Sequence, residues 1–118
     1  MARMNLQQRR KRLRYKLKYL TNRPRLSVHK SNNYIYAQLI DQKTGEVLAS
    51  YDTKRLVKDN PDAVKLSGLE KAKELGVKLG EQIKAKKITE IVFDRSGYKY
   101  HGKIKAVAEG LRQAGLRF

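Results

Sequence analysis

The first forty residues constrain this chain more than any other feature, because they hold eleven lysines and arginines and no acidic residue. The first carboxylate is Asp41. Seven of the ten positions from 9 to 18 are basic, and such a run of like charge repels itself unless an anion neutralises it. We therefore predict a basic N-terminal arm over residues 1–22, disordered when free, and a single globular domain over residues 23–118.

The overall composition indicates the kind of partner. The chain has 118 residues, a formal net charge of +17 and no cysteine. A large cationic excess favours a polyanion, above all a nucleic acid. The lack of cysteine excludes disulfides and thiolate metal sites and favours the cytosol. No stretch approaches the roughly 18 to 20 apolar residues of a membrane span, and no secretory signal is visible, so we expect a soluble, unprocessed chain.

Three interpretations of the arm stay open. It is a phosphate-binding extension, a membrane-surface helix or a solvated tail, and we favour the first because basic side chains release counterions from nucleic acid. A mitochondrial presequence is set aside because the arm contains no serine. Four leucines would form a narrow stripe if the arm became an amphipathic helix on a neutralising surface: Leu6, Leu13, Leu17 and Leu20.

Alternation of apolar and polar residues predicts three antiparallel strands after the arm. We place them at Leu26–Ser31, Tyr34–Ile40 and Glu46–Thr53, with a turn at Asn32-Asn33. Residues 54–66 lack a clean period, and we expect a mobile surface loop there. The core-facing side chains of the first two strands are Leu26, Val28, Ile35, Ala37 and Leu39.

Two helices and a fourth strand complete the predicted domain. Ser67 and Glu70 form a capping-box pattern at the start of the first helix. Its glycines, Gly76 and Gly80, suggest close approach to the sheet, since each costs roughly 1 kcal/mol relative to alanine. The predicted buried side chains of this helix are Leu69, Ala72, Leu75, Leu79 and Ile83.

The chain then continues with a short apolar strand at Ile88–Phe93, which we expect to lie parallel to an earlier strand. A second helix covers Gly102–Ala114, buries Ile104, Val107, Ala108 and Leu111, and ends at Gly115. The fold class is α/β, with element order β-β-β-α-β-α, a mixed four-stranded sheet and helices packed on it.

The outer face of the predicted sheet carries polar and aromatic side chains next to the basic arm. Aromatic rings on a sheet can stack on exposed bases while basic side chains hold phosphates. Alternatively, the tyrosines merely cover the sheet edge. Lys30 shares the parity of the core residues and so lies past the core at the strand end. The outer-face residues are Ser27, His29, Ser31, Tyr34, Tyr36 and Gln38.

A second concentration of polar, aromatic and basic groups runs from Asp94 to Lys103. It joins the carboxyl end of a strand to the start of a helix, where unpaired N–H groups favour an anion. The same residues also fit a simple turn in which Asp94 bonds its own backbone. The two interpretations are compatible.

We find no catalytic constellation. His29 and His101 lack ligand spacing with any partner, and no P-loop or dinucleotide-binding pattern is present. The element order is that of the ribonuclease-H-like motif, whose nucleases use clustered carboxylates, but here the first strand holds no acid. Asp41, Asp52 and Asp94 lie at predicted strand ends and are more simply turn residues. We expect no enzyme activity, no metal and no cofactor.

Several segments together resemble the bacterial large-subunit ribosomal protein eighteen family, the 5S-rRNA-binding family. The resemblance runs from about Arg9 to Phe118, and the closing stretch is its most specific part. The segments that carry it are Arg23–Val28 (RPRLSV), Tyr36–Asp41 (YAQLID), Leu48–Ser50 (LAS) and Phe93–Lys103 (FDRSGYKYHGK) through to Gly115-Leu116.

The resemblance implies a structural, non-enzymatic component of the ribosome in the cytoplasm. It implies a mixed sheet of strand order 3-2-1-4, and binding that links 5S rRNA to 23S rRNA in the central protuberance, beside neighbouring 5S-associated proteins. We expect a monomer when free. The alternative is a generic polyanion or membrane-surface adaptor that acts through the arm.

The predicted RNA-binding residues come from the arm, the outer face of the sheet and the segment before the last helix. They are Arg9, Arg10, Lys11, Arg12, Arg14, Lys16, Arg23, Arg25, Ser27, His29, Lys30, Ser31, Asn32, Tyr34, Tyr36, Gln38, Arg95, Ser96, Tyr98, Tyr100, His101 and Lys103.

Overall fold

The computed structural model describes residues 6–9, 23–31 and 34–118. Residues 6–9 are helical, whereas the rest of the predicted arm and the Asn32-Asn33 turn lie outside the described residues. No helix within the described ranges is long and apolar enough to span a bilayer. The elements are β1 (Arg25–Lys30), β2 (Ile35–Ile40), β3 (Val47–Asp52), α1 (Thr53–Asp59), a 3₁₀ helix (Pro61–Lys65), α2 (Gly68–Ala85), β4 (Val92–Asp94) and α3 (Lys103–Gln113).

The four strands form one mixed sheet in the order β3-β2-β1-β4. β1 and β2 pair antiparallel, as do β2 and β3, while β4 lies parallel to β1. The predicted order and the parallel crossover are therefore confirmed. β4 is shorter than predicted, because residues 89–91 pair with the C-terminal segment: the Ile91 N–H donates to the carbonyl of Arg117 at 3.1 Å.

The core lies between one face of this sheet and the helices. All five core residues predicted in β1 and β2 are buried, as the alternation requires. The predicted buried residues of α2 are confirmed except Leu69, whose side chain is 54% exposed. That prediction was wrong because Leu69 lies in the first turn of α2, beside His101 and Lys105 rather than over the sheet.

The predicted mobile loop at residues 54–66 was also wrong. Asp52 caps α1 by accepting a hydrogen bond from the Arg55 N–H at 2.8 Å. This bond gives an acceptor to a backbone N–H that has none within the helix. Leu56 of α1 and Ala63 of the 3₁₀ helix then enter the core. Periodicity missed these elements because each is short and fully buries only one apolar side chain, which leaves no repeating pattern.

Tyr51 of β3 ties α1 to the sheet. Its hydroxyl donates to Asp59 Oδ2 at 2.9 Å, and the Arg55 guanidinium lies 5.0 Å from its ring centre. Burial, with a smaller contribution from the Asp59 carboxylate, raises the pKa of Tyr51 to about 12. The phenol therefore stays protonated and remains a donor throughout the physiological range.

The helical glycines bring α2 and α3 together. A β-carbon on Gly76 would meet the carbonyl of Val107, and one on Gly110 would meet the carbonyl of Lys73 and, at 2.9 Å, the amide of Val77. The predicted close approach is real, but the partner is the other helix and not the sheet. α3 ends as predicted, at Gly115, whose φ of +107° suits glycine.

Replacing Gly110 with alanine tests this contact. Alanine is the better helix former by about 1 kcal/mol, yet its β-carbon would press on the backbone of α2, which no rotamer change relieves. We expect Gly110→Ala to lower the free energy of unfolding by about 2 kcal/mol, measured by urea denaturation. The exposed neighbour serves as control, and Glu109→Ala should change stability by less than about 0.5 kcal/mol. A stabilised Gly110→Ala would contradict the close contact.

Candidate nucleic-acid interface

A buried carboxylate holds the last loop against the outer face of the sheet. Asp94 is only 1% exposed. Its Oδ2 accepts a hydrogen bond from the Arg25 guanidinium at 2.7 Å, and its Oδ1 accepts from the Ser96 N–H at 2.8 Å. A buried charge is costly unless it is paired and hydrogen-bonded, and here the ion pair joins β4 to β1. The turn interpretation of Asp94 is confirmed.

Ser96 continues this connection. Its hydroxyl oxygen lies 3.1 Å from the Ser27 hydroxyl of β1, which in turn lies 3.1 Å from His29 Nε2. The backbone reverses at Ser96 and Gly97, whose φ angles of +55° and +82° are left-handed, and the Tyr98 N–H then donates to the Arg95 carbonyl at 3.0 Å. Ser27 and Ser96 are buried and fix the loop from below.

The loop then reaches the end of β1. The Tyr98 hydroxyl donates to the Lys30 carbonyl at 3.3 Å, and the Lys30 ammonium lies 5.7 Å from the centre of the Tyr98 ring. The Ser31 N–H donates to the Tyr34 carbonyl at 2.8 Å, which closes the hairpin beside it. Two segments that the sequence places about seventy residues apart thus form one surface.

The first turn of α3 adjoins the same surface. Gly102 caps the helix with φ +60° and gives no side-chain hydrogen bond, and the first turn contains no acid. Lys103 lies in that turn, with its stem against Gly68 of α2. A groove of about 430 Å³ is lined here by Lys30, Ser31, Leu69, Gly102 and Lys103. Backbone donors and two ammonium groups around one groove form a surface that attracts phosphate. We call it the loop surface.

The outer face of β2 carries the tyrosines. The Tyr36 hydroxyl donates to Gln38 Oε1 at 2.8 Å, and both side chains are half-buried. The Lys54 ammonium lies 5.5 Å from the centre of the Tyr34 ring. Desolvation raises the pKa of Tyr34 above its usual value, and the Asp52 carboxylate adds to that shift. The Tyr34 phenol therefore stays neutral, and the tyrosine rings are apolar surfaces of the kind on which RNA bases stack.

The remaining predicted residues fall into three groups. Arg9, Arg95, Tyr100 and His101 are exposed, while Arg23 is exposed and its Nε lies 3.3 Å from Glu90. Arg25 is taken up by Asp94. The residues that lie outside the described residues are Arg10, Lys11, Arg12, Arg14, Lys16 and Asn32. RNA contact by each of these side chains remains a prediction.

Sequence reasoning missed a second groove, at the edge of β4. Phe93, Arg112 and Phe118 line it together with Arg95 and Tyr100. The sequence contains no signal for this groove, because Phe118 reaches β4 only through the pairing of the C-terminal segment with residues 89–91. The sequence pattern places Phe93 in an apolar strand and Arg112 in a helix, and nothing in it indicates that they meet.

The acidic residues of the described ranges do not form a catalytic cluster. Asp41 Oδ1 accepts from the Lys43 N–H at 2.8 Å, and Asp52 and Asp94 bond backbone N–H groups in the same way. Nowhere in residues 6–9, 23–31 and 34–118 do three histidine or acidic side chains gather as they would around a metal ion. Asp41 and Asp94 are turn residues, as predicted, whereas Asp52 caps the helix α1, which was not predicted.

Comparison with known proteins identifies the family of this chain. The family model described as ribosomal L18 of archaea, bacteria, mitochondria and chloroplast matches residues 1–118. The chain belongs to the ribosomal L18 family. Among its relatives is the large ribosomal subunit protein uL18 of Oleidesulfovibrio alaskensis, 48% identical over 107 residues, which cover 91% of this chain and 88% of the relative. The uL18 protein of Lactobacillus delbrueckii subsp. bulgaricus is 50% identical over 111 residues, 93% of this chain and 89% of the relative.

Membership of the ribosomal L18 family confirms the resemblance stated from the sequence. The protein is a structural constituent of the large ribosomal subunit and not an enzyme. It therefore belongs to the ribosome in the cytoplasm. The uL18 protein of Petrotoga mobilis, 48% identical over 95% of this chain and 91% of its own length, shows that the similarity spans nearly the whole molecule.

The Asp94 network makes a testable contribution to stability. Asp94→Asn keeps an oxygen that can accept the Ser96 N–H but removes the charge that faces Arg25. We expect the free energy of unfolding to fall by about 2 kcal/mol, measured by urea denaturation. Asp41→Asn, which alters a carboxylate bonded only to the Lys43 N–H in an exposed turn, is the matched control and should stay within about 0.5 kcal/mol. Equal losses in the two variants would show that the ion pair does not stabilise the loop.

Proposed function

We propose that this protein binds 5S rRNA and helps to attach it to 23S rRNA in the central protuberance of the large subunit. The observation that supports this most directly is the loop surface, where the end of β1, the Tyr98 loop and the first turn of α3 present two lysines and the N-terminal end of a helix in one place. Tyr34 lies next to it, since its carbonyl accepts from the Ser31 N–H, and Tyr36 and Gln38 follow along β2.

The two parts of this surface have different tasks. Lys30, Lys103 and the N–H groups at the start of α3 would contact phosphates, which position a protein on RNA but carry little sequence information. The tyrosines would contact unstacked bases or the shape of one RNA fold, and such contacts select among RNAs. Because the loop is fixed to β1 through Asp94 and Ser96, both parts keep one relative orientation.

The N-terminal arm would strengthen binding and reach between the two RNAs. We propose that residues 1–22 act as an arm and that residues 23–118 form the globular RNA-binding domain, monomeric when free. The acid-free run of basic residues supports this division, because each lysine or arginine that neutralises a phosphate releases counterions. Neighbouring 5S-associated proteins of the large subunit would then contact the assembled particle.

The loop surface can be tested by removing its two lysines together. In the Lys30→Gln/Lys103→Gln variant we expect weaker binding to 5S rRNA, and the slope of log affinity against log salt should fall by about 1.5, since each lost phosphate contact removes about 0.7 to 0.9. Filter binding across a salt series measures both. The control variant Lys43→Gln/Lys65→Gln makes the same charge change at exposed positions that do not line the groove of the loop surface and should change the slope by less than half as much. Equal slopes in the two variants would remove the loop surface from the proposal.

The arm makes a separate prediction. A chain of residues 23–118 should bind 5S rRNA and unrelated tRNA more weakly and with a flatter salt dependence, because many phosphate contacts are lost at once. Its preference for 5S rRNA over tRNA should persist, because selection comes from the domain. A full-length chain with the arm residues in scrambled order should bind like the original. In a gel-shift competition, an unchanged salt slope after truncation would reject the arm as an electrostatic contact, and a preference for anionic liposomes would favour the membrane-surface alternative.

A further inference from the structure

The groove at the edge of β4 is a second concentration of aromatic and cationic side chains, and it is separate from the loop surface. Its volume is about 460 Å³, within the usual range of small-molecule sites. β4 is the last strand in the sheet order, and the groove lies beside it, next to the C-terminal segment that pairs with residues 89–91. The residues that define the β4-edge groove are Arg23, Phe93, Arg95, Tyr100, Arg112 and Phe118.

A fixed arginine forms the outer wall of this groove. The Arg112 guanidinium lies 4.3 Å from the centre of the Phe118 ring. It donates to the Tyr100 hydroxyl at 3.2 Å and to the main-chain oxygen of Phe118 at 3.2 Å. Two hydrogen bonds and a stacking contact hold the guanidinium in one plane although the side chain is exposed. An exposed arginine with this many contacts is already ordered for a ligand and loses little entropy on binding.

The aromatic rings extend this stack toward the core. Phe118 stacks on Phe93 at 5.5 Å with an angle of 18° between the rings, and Tyr100 meets Phe93 edge to face at 6.3 Å. Phe93 and Phe118 are partly buried, whereas Tyr100 is 39% exposed. The groove therefore offers two flat surfaces to a ligand, the guanidinium plane of Arg112 and the ring of Tyr100. Flat surfaces of this kind bind nucleic-acid bases by stacking.

The charge around the groove indicates an anionic ligand. Arg23, Arg95 and Arg112 line it, and the only acid among the lining residues is Asp94. That carboxylate is buried and bound to Arg25, so it does not repel an anion. Arg23 lies 3.3 Å from Glu90 in an ion pair that is about half-exposed on both sides, and such pairs contribute little and are readily exchanged.

We propose that the β4-edge groove binds one unstacked nucleotide of RNA, with its base on Arg112 and Tyr100 and its phosphate on Arg95 and Arg23. This inference rests on the proposed RNA-binding function and adds a second RNA contact, made by β4, the end of α3 and the C-terminal segment. A base is the occupant that fits both observations, since a flat apolar ring suits the stack and the attached phosphate suits the arginines. The groove and the loop surface together would hold the RNA on two sides of the last loop.

The test uses the full chain with 5S rRNA and three variants. Arg112→Gln should weaken binding about tenfold, the loss of one stacked base. Arg112→Lys keeps the charge but has no plane, so it should show a similar loss. Arg117→Gln removes an equal charge from an exposed residue five positions away that does not line the groove, and its effect should stay within about twofold. Urea denaturation checks that each variant folds.

A second measurement does not depend on substitution. Ultraviolet crosslinking of the unaltered complex followed by peptide mass spectrometry should find a nucleotide attached to a peptide that contains Phe93, Tyr100 or Phe118. Full binding by Arg112→Lys, or equal losses in Arg112→Gln and Arg117→Gln, would overturn the stacking groove, as would a crosslink from the groove in intact large subunits to a protein and none to RNA. If the unaltered chain shows no preference for 5S rRNA over tRNA, the proposed function itself fails, which is a different result.

Discussion

The arrangement of the surface depends on one buried ion pair, between Arg25 at the start of β1 and Asp94 at the end of β4. A carboxylate that is 1% exposed is stable as a charge only with partners, and here the partners are a guanidinium and the Ser96 N–H. The pair therefore links the parallel strands β1 and β4 and sets the direction of the loop that follows β4. Ser96 and Tyr98 of that loop then contact Ser27 and Lys30 of β1.

The contact between α2 and α3 fixes the other end of the loop. The absence of side chains at Gly76 and Gly110 lets the two helix backbones approach closely, and this places the first turn of α3 beside Lys30 and Ser31. At its far end, Gly115 turns the chain back so that Arg117 pairs with residues 89–91. One helix thus positions both surfaces, the loop surface at its start and the β4-edge groove at its end.

The acidic residues contribute to the cationic surface indirectly. Asp52 caps α1, Asp59 accepts from Tyr51, and Asp94 pairs with Arg25. Each of these carboxylates has a partner within the fold and stabilises it. Lysine and arginine outnumber the acidic residues in the domain as well as in the arm, so the outward field is positive over both. A positive field accelerates encounter with RNA, and fixed contacts then decide which RNA stays bound.

The sequence determined the strands of the sheet, because a period of two is a local property that burial enforces at every second residue. It also determined the start of α2 at Ser67, whose hydroxyl accepts the Glu70 N–H at 3.2 Å, and the end of α3 at Gly115. The sequence also determined the cationic character of the protein and its membership of the ribosomal L18 family. All of these follow from near neighbours in the chain or from composition.

Only the tertiary structure decided the rest. α1 forms because Leu56 packs in the core and the Tyr51 hydroxyl donates to Asp59. Neither contact is visible in the local pattern of apolar and polar residues. The glycines of α2 suggested a close neighbour, but only the packed helices show that this neighbour is α3. Lys30 meets Tyr98, and Phe118 stacks on Phe93, because the parallel crossover and the returning C-terminal segment bring distant residues together. Such pairings depend on the path of the whole chain, which no single window of sequence contains.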